Sequence, residues 1–206
     1  MQPFLRLFFY PFIQMKQENV SEQIIMGIDP GTRVMGYAFL EVCQKQLKVL
    51  EMGALTFSPK HSMQLRLKEI YEDVTTLVER HHPDILAIEE PFYGKNVQSM
   101  LKLGRAQGIA MAIALHREIP VFGYTPRKVK QAITGNGNAS KEQVAAMLSN
   151  LLHIPAQPEY LDATDALGIA LCHHYESTSF ASAGGGGGWE QFLSRNKDRI
   201  LSDTQS

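Results

Sequence analysis

The sequence predicts an α/β domain whose β-sheet combines antiparallel and parallel strands. Ile24–Asp29, Val34–Val42 and Leu47–Phe57 are apolar runs separated by short turn segments, which predicts three strands paired antiparallel. Ser62–His81 then repeats its apolar residues at helical spacing. The short apolar run Ile85–Ile88 follows that helix, and a right-handed crossover would make it a fourth strand parallel to the first.

The second half of the chain continues the α/β pattern. Val97–Arg117 is a long helical segment with glycine and alanine along one side, suited either to a core position or to self-association. Pro120–Tyr124 predicts a fifth strand, and Thr125-Pro126 predicts the cap and first residue of a helix over Arg127–Ile133. Two more helices are predicted from a capping box and from a late acidic segment, beginning near Ser140 and Tyr160.

Composition restricts the class of protein. With 206 residues, 44% of them hydrophobic and 20% charged, the chain can bury one sizeable core. A net charge of −1 gives no general attraction to nucleic acid, so a polyanionic partner would need a local basic patch. Cys43 and Cys172 form neither a metal motif nor a disulfide framework, which favours a reducing, cytoplasmic location.

The two ends of the chain differ from its middle. We predict an N-terminal extension over 1–23, a folded domain over 24–176, a Ser/Gly-rich linker over 177–188 and a short amphipathic tail over 189–206. The apolar run Phe4–Ile13 is too short to span a bilayer, and we expect no membrane association. A signal peptide, a disordered extension and a later start codon are the alternatives, of which we favour the last two.

Four acidic residues are delivered by separate predicted elements. Asp29 closes the first strand, where Pro30-Gly31 turns the chain, and Glu89 closes the fourth. Parallel strands end at the same edge of a sheet, which predicts that Glu89 lies beside Asp29. Asp162 and Asp165 share one helix face. Singly, these acids suit a turn cap or a helix dipole, but together they predict a metal site.

An exposed loop and a basic segment point to a polyanion. The loop Pro91–Asn96 contains two aromatic residues and a lysine, and it would fold back as a lid in a protein without a nucleic-acid role. Between Lys95 and Lys141 the chain has eight cations against the single acid Glu118. This asymmetry within a nearly neutral protein indicates a surface for a polyanion.

Several motifs, in this order, resemble one known family. The chain resembles the RuvC-type crossover-junction endodeoxyribonucleases, the bacterial Holliday-junction resolvases, from Ile24 to about His174. The motifs that carry the resemblance are Gly27-Ile28-Asp29-Pro30-Gly31-Thr32-Arg33, Ala87-Ile88-Glu89-Glu90-Pro91-Phe92 with Gly94-Lys95-Asn96, Leu103-Gly104-Arg105-Ala106-Gln107-Gly108, Val129-Lys130-Gln131 and Asp162-Ala163-Thr164-Asp165-Ala166-Leu167. The first motif also occurs in sugar kinases and the wider ribonuclease H-like superfamily, but the whole series is specific.

The resemblance implies a ribonuclease H-like fold, with a five-stranded mixed sheet flanked by helices on both faces. It implies a homodimeric, Mg²⁺-dependent endonuclease that nicks four-way junction DNA symmetrically during recombination and repair, beside a branch-migration helicase complex. Two Mg²⁺ ions per site, with Mn²⁺ as a substitute, agree with the oxygen ligands. The implied catalytic and metal-binding residues are Asp29, Glu89, Asp162 and Asp165. The implied DNA-binding residues are Phe92, Tyr93, Lys95, Asn96, Arg127, Lys130 and Lys141.

Three other functions are weighed against this one. A sugar kinase or actin-like ATPase would need a duplicated domain and a second Gly-rich phosphate loop, and the chain has neither. A protein that binds junctions without cutting them would lack one of the four acids, and all four are present. A related nuclease that acts on RNA or another nucleic-acid structure would have the same site chemistry, so this alternative stays open.

Overall fold

The computed structural model describes residues 22–44, 46–90, 97–154 and 161–183. Five strands form one sheet: β1 (Glu22–Asp29), β2 (Val34–Cys43), β3 (Gln46–Thr56), β4 (Ile85–Glu89) and β5 (Val121–Tyr124). Their order across the sheet is β3-β2-β1-β4-β5. β1 pairs antiparallel with β2 and parallel with β4, which confirms the predicted mixed sheet and the predicted crossover.

Five helices within the described ranges cover the sheet: α1 (Met63–His81), α2 (Val97–His116), α3 (Pro126–Thr134), α4 (Lys141–Leu152) and α5 (Leu161–Ala183). Two of them, α3 and α4, begin directly after the predicted capping residues Thr125 and Ser140. The Thr125 hydroxyl accepts from the Lys128 N–H at 3.3 Å, and Ser140 forms a complete capping box with Gln143. These local signals fix where α3 and α4 begin.

The sheet separates two hydrophobic cores because its side chains alternate between faces. One core packs Ile28 and Ile88 against α1 and α2. The other packs Ile25 and Ala87 against α3, α4 and α5. Helices on both faces confirm the predicted layering. Asp29 lies two residues beyond Gly27 in β1, and Glu89 lies two residues beyond Ala87 in β4. The same alternation therefore directs both acids toward the face of the sheet that α5 covers.

Two predicted boundaries differ from the structure. β1 begins at Glu22, inside the predicted extension, because Glu22 already pairs with Cys43 of β2. The predicted linker over 177–188 overlaps α5, which continues to Ala183. The hydroxyl groups of Ser177 and Thr178 both donate to the His174 carbonyl at 2.9 Å, so these polar residues are accommodated within the helix. The division into domain, linker and tail otherwise stays a prediction.

Some predictions concern parts of the chain outside the described residues. These are the extension before Glu22, the glycine run and the amphipathic tail, and the loop residues Phe92, Tyr93, Lys95 and Asn96. Within the described ranges, no helix has the length and apolar character needed to cross a membrane.

Candidate active site

The candidate site lies where β1 and β4 end at the same edge of the sheet. Asp29 is the last residue of β1, and Pro30 after it cannot extend the ladder. Glu89 is the last residue of β4. Because Ile28 pairs with Ile88 in parallel register, the two acids are the next residues of neighbouring strands.

Two glycines allow α5 to approach the sheet beside Asp29. A Cβ atom on Gly36 would lie 1.9 Å from the carbonyl oxygen of Asp162, and one on Gly27 would lie 2.0 Å from that of Ala166. Gly36 is also the partner of Asp29 in the β1–β2 register. The backbone of α5 therefore touches the backbone of the sheet at the edge where Asp29 lies.

This close approach brings three of the four predicted acids together. Asp29, Asp162 and Asp165 each offer a carboxylate oxygen, and these atoms lie within 4.8 Å of one another. All three side chains are half-buried. Asp162 lies in the first turn of α5, where the helix dipole favours a negative charge. The group has the geometry to hold a metal ion.

Glu89 is not a member of that three-residue group but faces the same space. Its pKa is raised to about 7 by burial and by the negative charges of Asp29 and Asp165, against the lowering effect of Lys141 and Lys130. These interactions require Glu89 to lie close to the other acids. A fourth carboxylate is therefore available at the margin of the group.

The site carries more negative charge than its own cations neutralise. Burial raises the pKa of Asp29 to about 6, together with the charges of Asp165 and Asp162 and against that of Lys141. Lys141 forms an ion pair with Asp165. Burial alone would lower the pKa of Lys141, but its hydrogen bond to Asp165 and the surrounding carboxylates outweigh burial and raise it. A further positive charge at this position would relieve the repulsion.

The donor set suits a hard divalent cation. Carboxylate oxygens from a strand end and from one helix face are the ligands that Mg²⁺ prefers. Asp29 is anchored by the sheet, and α5 holds Asp162 and Asp165 on one face. The residues present therefore fit a divalent metal ion.

The predicted DNA-binding cations within the described residues flank the acids. Lys130 and Lys141 both act electrostatically on Glu89, so both lie near the site. Arg127 is exposed, and its side chain lies against Gly137, where a Cβ would come within 2.8 Å of its Cγ. Lys128, from the same basic helix, is engaged in an ion pair with Glu176 of α5 at 2.7 Å.

Sequence reasoning missed three features of the site. It gave no role to Gly27 and Gly36, which read as ordinary strand residues although a glycine inside a strand signals a close backbone approach. It assigned Lys141 to a phosphate contact but did not predict the ion pair of Lys141 with Asp165. It also gave no separate role to Gln107, whose side-chain amide donates to the carbonyl of Glu89 at 3.3 Å.

The chain is similar to a family of known proteins along most of its length. The family model for crossover junction endodeoxyribonuclease RuvC matches residues 25–173. The crossover junction endodeoxyribonuclease RuvC of Bacteroides fragilis is 50% identical over 185 residues, which cover 89% of this chain and 98% of that protein. The one from Cytophaga hutchinsonii is 48% identical over 179 residues, covering 87% of this chain and 88% of that protein.

Solved structures show the same fold. The structure of Thermus thermophilus RuvC in complex with a Holliday junction substrate superposes with a TM-score of 0.71 at 30% identity, covering 76% of this chain and 96% of that one. The yeast mitochondrial Holliday junction resolvase Ydc2 shares the fold with a TM-score of 0.55 at 14% identity, covering 76% of this chain and 82% of that one. The matched family model and relatives of such identity across most of both chains place this chain in the RuvC family of crossover junction endodeoxyribonucleases.

Proposed function

We propose that this protein resolves four-way DNA junctions by paired, symmetric, metal-dependent nicks during recombination and repair. The observation that carries the proposal is the group of Asp29, Asp162 and Asp165 oxygens within 4.8 Å, at the sheet edge of a RuvC-family chain. The Thermus relative was solved in complex with a Holliday junction substrate, which supports junction DNA as the substrate here. A related nuclease acting on another nucleic-acid structure is the alternative.

We assign the four acids to a site for two Mg²⁺ ions, with Mn²⁺ as a substitute. Asp29, Asp162 and Asp165 would hold one ion, and Glu89 with Asp29 would complete the second position. The bound ions would supply activation of water and stabilisation of the leaving 3′ oxygen. The raised pKa values of Asp29 and Glu89, caused chiefly by burial and by the neighbouring carboxylates, support a cation at this position.

The cations of the chain would bind and orient the DNA backbone. Lys130 and Lys141 lie close enough to the acids to influence their protonation, and there they would contact the phosphates beside the cleaved bond. Lys141 is already held by Asp165, so it is oriented before DNA arrives. Arg127 extends the positive surface along α3. The loop residues Phe92, Tyr93, Lys95 and Asn96 would enter the open junction, where bases stack poorly.

Two symmetric nicks require two sites, and we propose a homodimer that uses α2. Val97 and Leu101 are 64% and 52% exposed, and they share one face of α2 with Gly104 and Gly108. Within the part of the chain that the structure describes, and leaving aside the backbone of α2 itself, a Cβ atom at either glycine would meet nothing within 4 Å, which leaves room for a second helix. A two-fold pair would place matching surfaces in contact. Leu101→Glu should yield a monomer by analytical ultracentrifugation, whereas Leu65→Glu on exposed α1 should not.

The family resemblance also supports a branch-migration helicase complex as a partner and a cytoplasmic location. Co-purification of the tagged full-length chain with such a complex, in the presence of junction DNA, would test the partner. Fractionation of cells would test the location, and recovery with membranes would contradict it.

The decisive experiment is cleavage of a synthetic mobile four-way junction, with linear duplex as the control substrate and Mg²⁺ varied. Asp29→Asn, Glu89→Gln, Asp162→Asn and Asp165→Asn should each abolish cutting while junction binding persists, because a ligand charge is lost without a change of shape. Asp73→Asn, on an exposed part of α1, is the matched control and should cut normally. Retained cutting by Asp29→Asn would overturn the metal site. Cutting of RNA or another branched substrate in place of the DNA junction would favour the alternative.

A further inference from the structure

We propose that Gln107 is a positioning residue for Glu89, because its side-chain amide supplies the hydrogen-bond donor that Pro30 cannot give to the end of β4. The inference rests on the proposed function, since it concerns how one predicted metal ligand is held in place.

The backbone groups of β4 point alternately toward its two neighbouring strands, β5 and β1. Leu86 donates its N–H to the carbonyl of Pro120, and Glu90 donates to that of Tyr124, so these even-numbered residues face β5. Backbone groups alternate in direction along a strand, and therefore the odd-numbered Ala87 and Glu89 face β1. The carbonyl of Glu89 is thus directed toward the end of β1.

A parallel ladder would give that carbonyl a donor from β1. Since Gly27 pairs with Ala87 and Ile28 with Ile88, continuation of the ladder would set the residue after Asp29 to donate to Glu89. That residue is Pro30, which has no N–H. The pairing of β1 with β4 accordingly stops at Ile28 and Ile88. The proline that turns the chain after Asp29 thereby deprives the neighbouring catalytic strand of a hydrogen bond.

Gln107 is in position to replace this donor. Its Nε2 atom donates to the Glu89 carbonyl at 3.3 Å, across 18 residues of sequence. Ala106 and Ala110 on the same helix are 0% and 1% exposed, so α2 is fixed in the core, and Gln107 between them is half-buried. Backbone carbonyls that lack a partner are costly to bury, so the bond holds the terminal peptide of β4 in one orientation. The orientation of that peptide determines the direction in which the Glu89 side chain leaves the backbone, and so the position of its carboxylate.

The test measures metal binding in the absence of DNA. Mn²⁺ is titrated by calorimetry into the full-length protein and into Gln107→Met, which keeps the side-chain volume and removes the donor. Loss of a partner that orients a ligand should weaken Mn²⁺ binding about 10-fold. Gln131→Met is the matched control, because Gln131 likewise donates to a backbone carbonyl, that of Gly135 at 2.7 Å, but in a loop away from β4. Its Mn²⁺ affinity should equal that of the wild type.

A second pair of variants isolates the missing donor. Pro30→Ala restores an N–H next to Asp29, so Gln107→Met should cost much less Mn²⁺ affinity in the Pro30→Ala background than in the wild type. This comparison cancels any effect of Pro30→Ala by itself. An equal loss in both backgrounds would overturn the proposal, as would unchanged Mn²⁺ affinity in Gln107→Met. Thermal unfolding of each variant checks its fold, and Gln107→Ala takes the place of the methionine variant if that one does not fold.

Junction cleavage separates this proposal from the proposed function. Gln107→Met should raise the Mg²⁺ concentration for half-maximal cutting about 10-fold and leave junction affinity in EDTA unchanged. A wild-type protein that cuts no junction, combined with weakened Mn²⁺ binding by Gln107→Met, would overturn the proposed function and support the role of Gln107. A wild-type protein that cuts, combined with unaltered metal dependence in Gln107→Met, would overturn the role of Gln107 alone.

Discussion

Replacement of Gly36 by alanine should disable the site without touching any acid. The new Cβ would lie 1.9 Å from the carbonyl oxygen of Asp162, whereas real Cβ atoms essentially never come within 3.0 Å of such an atom. The first turn of α5 must therefore retreat by about 1 Å, and it carries Asp162 and Asp165 away from Asp29. A misplacement of about 1 Å at a reacting centre typically lowers the rate about 100-fold.

The assay is single-turnover cleavage of a synthetic four-way junction at saturating protein, together with calorimetric titration of Mn²⁺. Gly36→Ala should lose about 100-fold in cleavage rate, and its Mn²⁺ affinity should fall with it. Gly168→Ala is the matched control. Its Cβ would lie 3.4 Å from Cγ1 of Val129, an ordinary contact, and alanine is the better helix former by about 1 kcal/mol.

The outcome depends on whether the helix or the strand gives way. Far-ultraviolet circular dichroism and thermal unfolding must show that Gly36→Ala is folded, since a collapsed protein would lose activity for a trivial reason. A folded Gly36→Ala protein that cuts at nearly the wild-type rate would refute the reasoning. In that case the position of α5 would not determine the spacing of the acids.

The remaining predictions concern protonation and DNA contacts. Folding raises the pKa of Asp29 from 3.8 to about 6 and that of Glu89 from 4.5 to about 7. Between these unfolded and folded pKa values the folded state binds more protons than the unfolded state. The metal-free protein should therefore lose stability as the pH rises through this range. In EDTA the Tm of the wild type should fall between pH 5 and pH 8, and that of Asp29→Asn should fall less. Mg²⁺ should raise the Tm more at pH 8 than at pH 5. A Tm of the metal-free wild type that does not change with pH would contradict this prediction. Lys130→Ala should lower the slope of log binding constant against log salt concentration, for junction DNA, by about one. Lys128→Ala should lower it by less, because Lys128 is ion-paired with Glu176 of α5. Equal slopes for the two variants would contradict this prediction. Phe92→Ala should lower the rate of junction cutting more than it lowers the affinity for duplex DNA. If Phe92→Ala cuts junctions at the wild-type rate at saturating protein, the loop serves only as a lid.

Much of the fold could be predicted because its signals are local. The apolar runs that end at Asp29 and at Glu89 are short, are closed by turn residues and are separated by one helix, and the handedness of crossovers leaves few ways to connect them. The caps at Thr125 and Ser140 fixed two helix starts by the same local chemistry. The adjacency of Asp29 and Glu89 follows from these facts alone.

The rest depends on contacts between segments distant in sequence. The role of Gly36 requires knowing that α5 crosses β2 at Asp162, more than 100 residues later. The pairing of Lys141 with Asp165 likewise depends on how α4 meets α5. The predicted linker begins at Ser177, whereas α5 continues to Ala183. A Ser/Gly-rich composition is typical of linkers, but serine and threonine side chains can also bond to helix carbonyls.

The same physical terms explain why the site needs both a close-packed helix and a cation. Separate carboxylates would relax away from one another if α5 were free to move, because the charges of Asp162 and Asp165 raise the pKa of Asp29 in addition to its burial. Backbone contact at Gly27 and Gly36 prevents that movement. The packing energy of the core therefore maintains an arrangement that electrostatic repulsion alone opposes. A metal ion that binds there relieves this repulsion, and the relief makes its binding free energy more favourable. Asp29→Asn should accordingly abolish catalysis and stabilise the metal-free fold, since both effects arise from the same negative charge.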